Sequence, residues 1–337
     1  MSQNPDYGFA VGRVRSLETT LLDRNRYDRL VRTRDGDEFL SVLAETAYGR
    51  YFEGERSGRQ GNDIERALAE ATDDEFEFFR QYCLDEWLLE LLQLPEDVRN
   101  LKVVLKRRLV GEEASPDQLL PQGRWGLGQL AALAVGTPGA LPAEVSDMAR
   151  QIVTQPDISR DPARIDMALD RLLQGMVMNL ARASDYMTGY YRLYADLENL
   201  RSLVRVKATA ELAAGDAELT RAFLPGGTLR LARLAALLTG DWEGLIGGLS
   251  STRFRGYIEQ GVGEMVRHQT LLRMERLGRE ELLRYLRRSR YATFGYEPLV
   301  TFHLLRENEW RNLRLLYVAK QARLPTAETL ELVAYAD

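Results

Sequence analysis

A chain of 337 residues is too long for one ordinary hydrophobic core and suits two or three domains of roughly 100 to 150 residues. Its 45% hydrophobic and 28% charged residues are the composition of a soluble globular protein, and its net charge of −5 argues against non-specific nucleic-acid binding, which requires a basic stripe on a basic domain. The single cysteine, Cys83, excludes an internal disulfide framework and suits a reducing cytoplasm.

The chain begins with the polar Ser2-Gln3-Asn4-Pro5-Asp6, which lacks the basic region of a signal peptide. Apolar periodicity then predicts helices over 11–33, 37–48, 63–94 and 98–109. A Gly- and Pro-rich stretch, 111–139, marks a joint and contains a short helical segment over 129–133; helical segments over 143–154, 165–183 and 186–214 follow. Phe223-Leu224-Pro225-Gly226-Gly227 reads as a turn, and helices are expected over 229–238, 258–288, 297–321 and 326–335. Charges spaced by four, as in Glu275 with Arg279 and Glu280 with Arg284, support the helical reading. No run of alternating β-branched residues suggests a strand, so the expected class is all-α. The most apolar stretches, 127–135 and 229–238, are about ten residues long and interrupted by Gln129, Arg230 or Arg233, whereas a membrane span needs roughly 20.

One phrase occurs three times. Asp97-Val98-Arg99-Asn100-Leu101-Lys102 returns as Asp196-Leu197-Glu198-Asn199-Leu200-Arg201 and as Glu309-Trp310-Arg311-Asn312-Leu313-Arg314. Each copy continues with two apolar residues three and four positions after its Leu and ends on a base, Arg108, Lys207 or Lys320. On a helix this lays one apolar stripe along one face. The acid reads as a first-turn carboxylate suited to the helix dipole, and the final base as its C-terminal counterpart. Asn is a weak helix former, so its presence in three copies points to a specific hydrogen bond, either a cap or turn within its own lobe or a tie to the neighbouring one. Other fragments keep the same step. Ile64-Glu65-Arg66-Ala67-Leu68, Ile165-Asp166-Met167-Ala168-Leu169 and Met274-Glu275-Arg276-Leu277 precede the three Asn residues by about 35 positions. Thr33, Asp35, Leu43, Thr46 and Tyr48 match Thr239, Asp241, Leu249, Thr252 and Phe254 at a constant offset of 206. A period of about a hundred residues implies three lobes, 1–114, 115–222 and 223–337, and is longer than the roughly 34 to 47 residues of common helical arrays.

Catalytic signals are missing. Neither G-x-x-x-x-G-K-[ST] nor G-x-G-x-x-G occurs, so no usual nucleotide-phosphate loop is present. His268 and His303 each stand alone, and Cys83 lies in an apolar helical segment without a neighbouring His. No cofactor, metal or catalytic residue is expected. Tyr190, Tyr191 and Tyr194 read first as helix core, but tyrosine clusters also mark interfaces, which keeps them as candidate partner contacts.

The threefold Asn-Leu-[Lys/Arg] helix resembles the C subunit of archaeal and bacterial V-type (A/V-type) rotary ATPases, the counterpart of the d subunit of the vacuolar enzyme. Tyr7-Gly8-Phe9-Ala10-Val11-Gly12-Arg13-Val14-Arg15, Leu40-Ser41-Val42-Leu43-Ala44-Glu45-Thr46-Ala47-Tyr48-Gly49 and Glu309-Trp310-Arg311-Asn312-Leu313-Arg314 carry the same likeness. It extends over essentially the whole chain, departing in 111–146 and in the first half of the second lobe. The resemblance implies an all-helical funnel of three similar lobes around a pseudo-threefold axis. It implies a peripheral, non-catalytic subunit on the cytoplasmic face of the membrane, whose partners are the rotor-shaft subunits of the soluble sector and the membrane rotor ring. Contacts at the two ends are expected to be mostly polar and reversible, without a large exposed apolar patch. Whether the transported ion is a proton or sodium stays open, as does the direction of ATP turnover. A helical scaffold unrelated to rotary motors is the main alternative, and a helical enzyme the third.

Overall fold

The computed structural model describes residues 5–52, 63–135, 141–209 and 212–335. Among these residues there are α-helices, short 3-10 turns and no strand. The first helices are α1 (Gly8–Glu18), α2 (Arg24–Arg32), α3 (Gly36–Ala44), α4 (Asp63–Tyr82) and α5 (Glu86–Leu109). They are followed by α6 (Leu127–Ala134), α7 (Ala143–Thr154), α8 (Pro156–Ser159), α9 (Pro162–Ala181), α10 (Asp185–Thr209) and α11 (Leu212–Ala222). The chain continues through α12 (Leu231–Ala236), α13 (Trp242–Leu249), α14 (Arg255–His268), α15 (Leu272–Leu286), α16 (Glu297–Gln321) and α17 (Thr326–Leu330). No described helix is long and apolar enough to cross a membrane.

Three expected helices break differently, each for a local reason. The 11–33 segment is two helices. The hydroxyls of Thr19 and Thr20 bond the carbonyls of Ser16 and Leu17 at 2.7 Å, closing α1, and Asp23 accepts the Arg26 N–H at 2.8 Å to start α2. The 258–288 segment is also two, because Gln269 takes a left-handed conformation (φ 53°) just past α14. The division expected near residues 94–98 falls instead at Cys83–Asp85, and α5 runs through Pro95. A proline inside a helix costs about 3 kcal/mol through its missing N–H and its clash with the preceding turn. Leu88, Leu91, Leu92, Leu94, Val98 and Leu101, all buried on α5, supply the packing that offsets it. On α15 the close ion pairs are Arg276 with Glu280 and Arg284 with Glu281, a register different from the expected one.

The chain forms two compact units, Met1–Leu84 with His268–Asp337, and Asp85–Arg267. In the first, α16 packs against α1, α3 and α4 and is buried on most sides, so it lacks the one-sided stripe of a surface helix. Its core joins Tyr27, Leu30 and Val31 of α2, Phe39 and Leu43 of α3, Ile64 and Leu68 of α4, and Leu313 and Leu316 of α16. In the second unit α9 is central, packing against α5, α7, α8, α10 and α11. The fragments that keep step in the sequence also keep step in hydrogen bonding. Asp35 and Asp241 cap α3 and α13 by accepting N–H bonds at 2.9 and 2.8 Å, and the Thr46 and Thr252 hydroxyls bond the Leu43 and Leu249 carbonyls at 2.6 and 2.7 Å.

Candidate functional site

The three copies of the repeated phrase lie on α5, α10 and α16, the longest helices described, at 24 or 25 residues each. These helices start at Glu86, Asp185 and Glu297, well before the acids Asp97, Asp196 and Glu309. The acids are therefore not first-turn carboxylates responding to a helix dipole. They sit mid-helix and are buried, no more than 2% exposed.

A buried carboxylate needs donors, and each acid finds backbone N–H groups just before another helix. Asp97 Oδ1 accepts from the N–H of Arg124 at 2.5 Å and of Trp125 at 3.1 Å, while its Oδ2 meets the Arg124 guanidinium at 2.8 Å. Burial pushes the Asp97 carboxyl above its usual range, and Arg124 pulls against that shift. Asp196 takes the Leu229 N–H at 2.9 Å and the Thr228 hydroxyl at 2.6 Å. Glu309 takes the Leu22 N–H and, at 2.8 Å, the Tyr48 hydroxyl. Trp125, Leu229 and Leu22 stand in one register, each preceding the N-cap residue of the short helix that follows, α6, α12 and α2.

The final base grips the other end of the same short helix. Lys207 Nζ donates to the carbonyls of Leu237 at 3.1 Å, Leu238 at 2.8 Å and Gly240 at 3.0 Å, at the C-terminus of α12. Lys320 Nζ donates to the Val31 carbonyl near the end of α2. Cationic donors suit the orphan carbonyls and negative dipole end of a helix. Burial lowers the pKa of both lysines. The first copy has an exposed Arg108 at this position, and residues 136–140, next after the end of α6, lie outside the described residues.

The Asn residues hold the connection in between. Asn100 donates to the Leu120 carbonyl at 3.0 Å and accepts the Leu120 N–H at 2.8 Å; Asn199 does the same with Leu224 at 2.9 and 2.7 Å. Asn312 pairs with Ala334 at 2.9 and 3.4 Å. A side-chain amide can satisfy both polar groups of one peptide residue, which makes Asn the residue type for this place. In the first two copies the grip needs a glycine beside it. A Cβ on Gly123 would lie 2.6 Å from Asn100 Nδ2, and one on Gly227 would lie 2.4 Å from Asp196 Oδ1.

The other sequence-predicted residues divide by burial. Leu101, Leu200 and Leu313 are fully buried. The bases that follow them are partly exposed and form ion pairs, Lys102 with Asp170 at 2.5 Å, Arg201 with Glu198, and Arg314 with Glu65 at 2.9 Å. Of the tyrosines, Tyr191 is buried, Tyr190 half-buried with its ring 5.2 Å from that of Tyr191, and Tyr194 exposed.

The third copy carries a polar cluster that spacing did not reveal. His303 Nδ1 lies 2.7 Å from Glu75 Oε1, and the Arg306 guanidinium joins Glu309 at 2.5 Å, the Thr20 hydroxyl at 2.6 Å and, at 3.7 Å, Glu75. Burial raises the Glu75 pKa, opposed by the His303 and Arg306 partners. Burial works to lower the Arg306 pKa, but Glu309, Tyr48 and Glu75 outweigh it and leave it raised. A cleft of about 460 Å³ opens over these groups, lined also by Arg13, Asp74, Phe302 and Trp310. No group of three His, Cys, Asp or Glu among the described residues is arranged to hold a metal ion. His268 is exposed at the end of α14.

The sequence model of the family described as ATP synthase (C/AC39) subunit matches residues 10–332. The chain belongs to this family. The C subunit of the A-type ATP synthase of Thermococcus onnurineus is 26% identical, the match covering 92% of this chain and 85% of the relative. Its counterpart from Methanocaldococcus jannaschii is 23% identical over 97% of this chain and 86% of the relative. The C subunit of the V-type sodium ATPase of Enterococcus hirae is 22% identical over 91% and 92%. Membership makes the chain a subunit of a rotary ATPase complex associated with a membrane, and it places the repeated clamp in a protein whose family works by assembly with other subunits.

Proposed function

We propose that the chain is the non-catalytic socket of the central stalk, joining the rotor shaft of the soluble ATP-handling sector to the membrane rotor ring on the cytoplasmic face and transmitting torque between them. The division into three lobes, 1–114, 115–222 and 223–337, belongs to the same reading. The observation that carries it is the threefold clamp. In two copies the long helix holds a short helix that follows it in the chain. In the third, α16 reaches back to α2 through Glu309, where the other copies have Asp, and through Lys320, which matches Lys207 of the second copy. Each repeat thus grips an early helix of another, and the last repeat grips α2, the second helix of the first. A connector that transmits torque needs such ties, because load on one repeat then passes to its neighbour through buried hydrogen bonds rather than through one covalent chain. The buried acids are consumed by structural bonds, which leaves them no role as proton donors or acceptors for a substrate.

The test is reconstitution. Purified chain is mixed with purified shaft subunits and, separately, with detergent-solubilised ring, then passed through a sizing column. Co-elution with each supports the reading, and co-elution with neither, by a chain of normal helical content, refutes it. Proton and sodium coupling are both compatible with the socket, since the relatives include the C subunits of a V-type sodium ATPase and of several A-type ATP synthases.

A further inference from the structure

One surface of the first unit has a composition that the clamp does not use. The α1 start, the end of α4 and the loop between α15 and α16 meet there. Phe9 is 68% exposed and its ring lies 5.6 Å from that of Tyr82; Leu84, 55% exposed, has its N–H bonded to the Tyr7 hydroxyl at 2.9 Å. Phe294, 47% exposed, lies beside Gly8, where an added Cβ would be 3.6 Å from its ring. Tyr291, on the same loop, is 87% exposed. The loop is held to α1 by the Arg15 guanidinium, which donates to the carbonyls of Ser289, Arg290 and Ala292 at 3.3, 2.9 and 3.0 Å. Two exposed arginines, Arg288 and Arg290, lie on the same segment as Tyr291. Arg288 lies over the Tyr285 ring and Arg290 over the Tyr291 ring, and neither has a carboxylate within ion-pair distance among the described residues.

We propose that this patch, Phe9, Leu84, Tyr291 and Phe294 with Arg288 and Arg290, is a contact site for an anionic lipid surface. The charges and the rings call for different environments at different depths. Unpaired guanidinium groups want anions, and protruding Phe, Tyr and Leu side chains want a hydrocarbon layer immediately beneath. A bilayer interface offers both in that order, with phosphate above and acyl chain below, and tolerates side chains from three separate segments because it has no fixed shape. The chain as a whole carries a net charge of −5, so attraction to an anionic surface must come from a local site such as this one. The site concerns lipid rather than the protein ring and is independent of the shaft.

The test uses the full chain and sedimentation with vesicles of phosphatidylcholine alone or with added phosphatidylglycerol, free of any protein. Binding is expected to the anionic vesicles only and to weaken with salt. Arg288→Ala or Arg290→Ala should each lower the partition coefficient about fivefold, and the pair on the order of twenty-fivefold. Phe9→Ser on α1 and the double variant Tyr291→Ser with Phe294→Ser on the loop should each weaken binding while leaving helical content and melting temperature unchanged. Because the two lie on different elements, misfolding of the loop alone would leave the Phe9 variant informative. Absence of binding to anionic vesicles at low salt overturns the proposal, as does equal binding by the double arginine variant. Loss of ring co-elution in these variants without any vesicle binding by the parent would assign the patch to a protein partner instead.

Discussion

Replacing Asn199 by Ala isolates the central bond of the clamp. Both Asn199 and its partner Leu224 are buried, at 0% and 6% exposure, so the variant strands the Leu224 N–H and C=O where water has little access. An orphaned buried polar group costs about 1–3 kcal/mol, and two in one peptide residue should cost about 2–4 kcal/mol. For a domain of this size that lowers the melting temperature by roughly 5–15 °C. The same change at Asn100 should cost clearly less, because Leu120 is half-buried and water can replace the lost amide. Asn312 should fall between, since Ala334 is fully buried but its N–H bond is long at 3.4 Å. Urea unfolding followed by helical circular dichroism measures all three. A loss under 1 kcal/mol at Asn199, or a larger loss at Asn100 than at Asn199, would refute the reasoning.

Glycine substitutions should separate close approach from mere flexibility. Gly227→Ala should destabilise by about 1–3 kcal/mol, since its Cβ would displace Asp196, whereas Gly175→Ala inside α9, with nothing within 4 Å, should stabilise by about 0.5–1 kcal/mol. Equal effects in denaturant melts would sink the distinction. The pH dependence of Glu75 has a definite sign. Its folded pKa is raised above the ordinary 4.5, so between these two values the folded state holds more protons than the unfolded one and stability falls as pH rises. Its favourable contribution is complete below 4.5 and lost once the pH passes the raised value. Glu75→Gln stays neutral, so its stability between pH 4 and 7 should lack that fall, and parallel curves for variant and parent would exclude a raised Glu75 pKa. Lys320→Met should remove the tie to the Val31 carbonyl and speed amide exchange in the last turn of α2 while leaving α12 protected; exchange rates unchanged in α2 would mean that the tie holds nothing.

The all-helical class and the recurrence of the Asn helix were legible in the sequence because both are patterns of side chains at fixed spacing. What the Asn residues hold was not, since Leu120, Leu224 and Ala334 are gripped through backbone groups that leave no mark in side-chain identity. The acids mislead because the motif by itself reads them as first-turn residues; the helices expected over 186–214 and 297–321 already place two of them mid-helix, and only the first copy is expected to start a helix, near residue 98. Pro95 lies inside a helix because surrounding leucines outweigh its local penalty, an effect of tertiary packing. Glu75 and His303 are 228 positions apart, and only the packing of α4 against α16 joins them. Gly123 and Gly227 carried a usable signal: each stands two residues before the residue whose N–H the acid takes.

The central claim, that the chain turns with the shaft and the ring as one rotor, is tested most directly by cross-linking it to the ring through engineered cysteine pairs in an assembled complex, in a background where Cys83 is replaced. ATP turnover and ion transport at the rates of the uncross-linked complex are expected, because the joined parts already rotate together. Arrest of both on oxidation, restored by reductant, would show that the chain moves relative to the ring and would contradict the account.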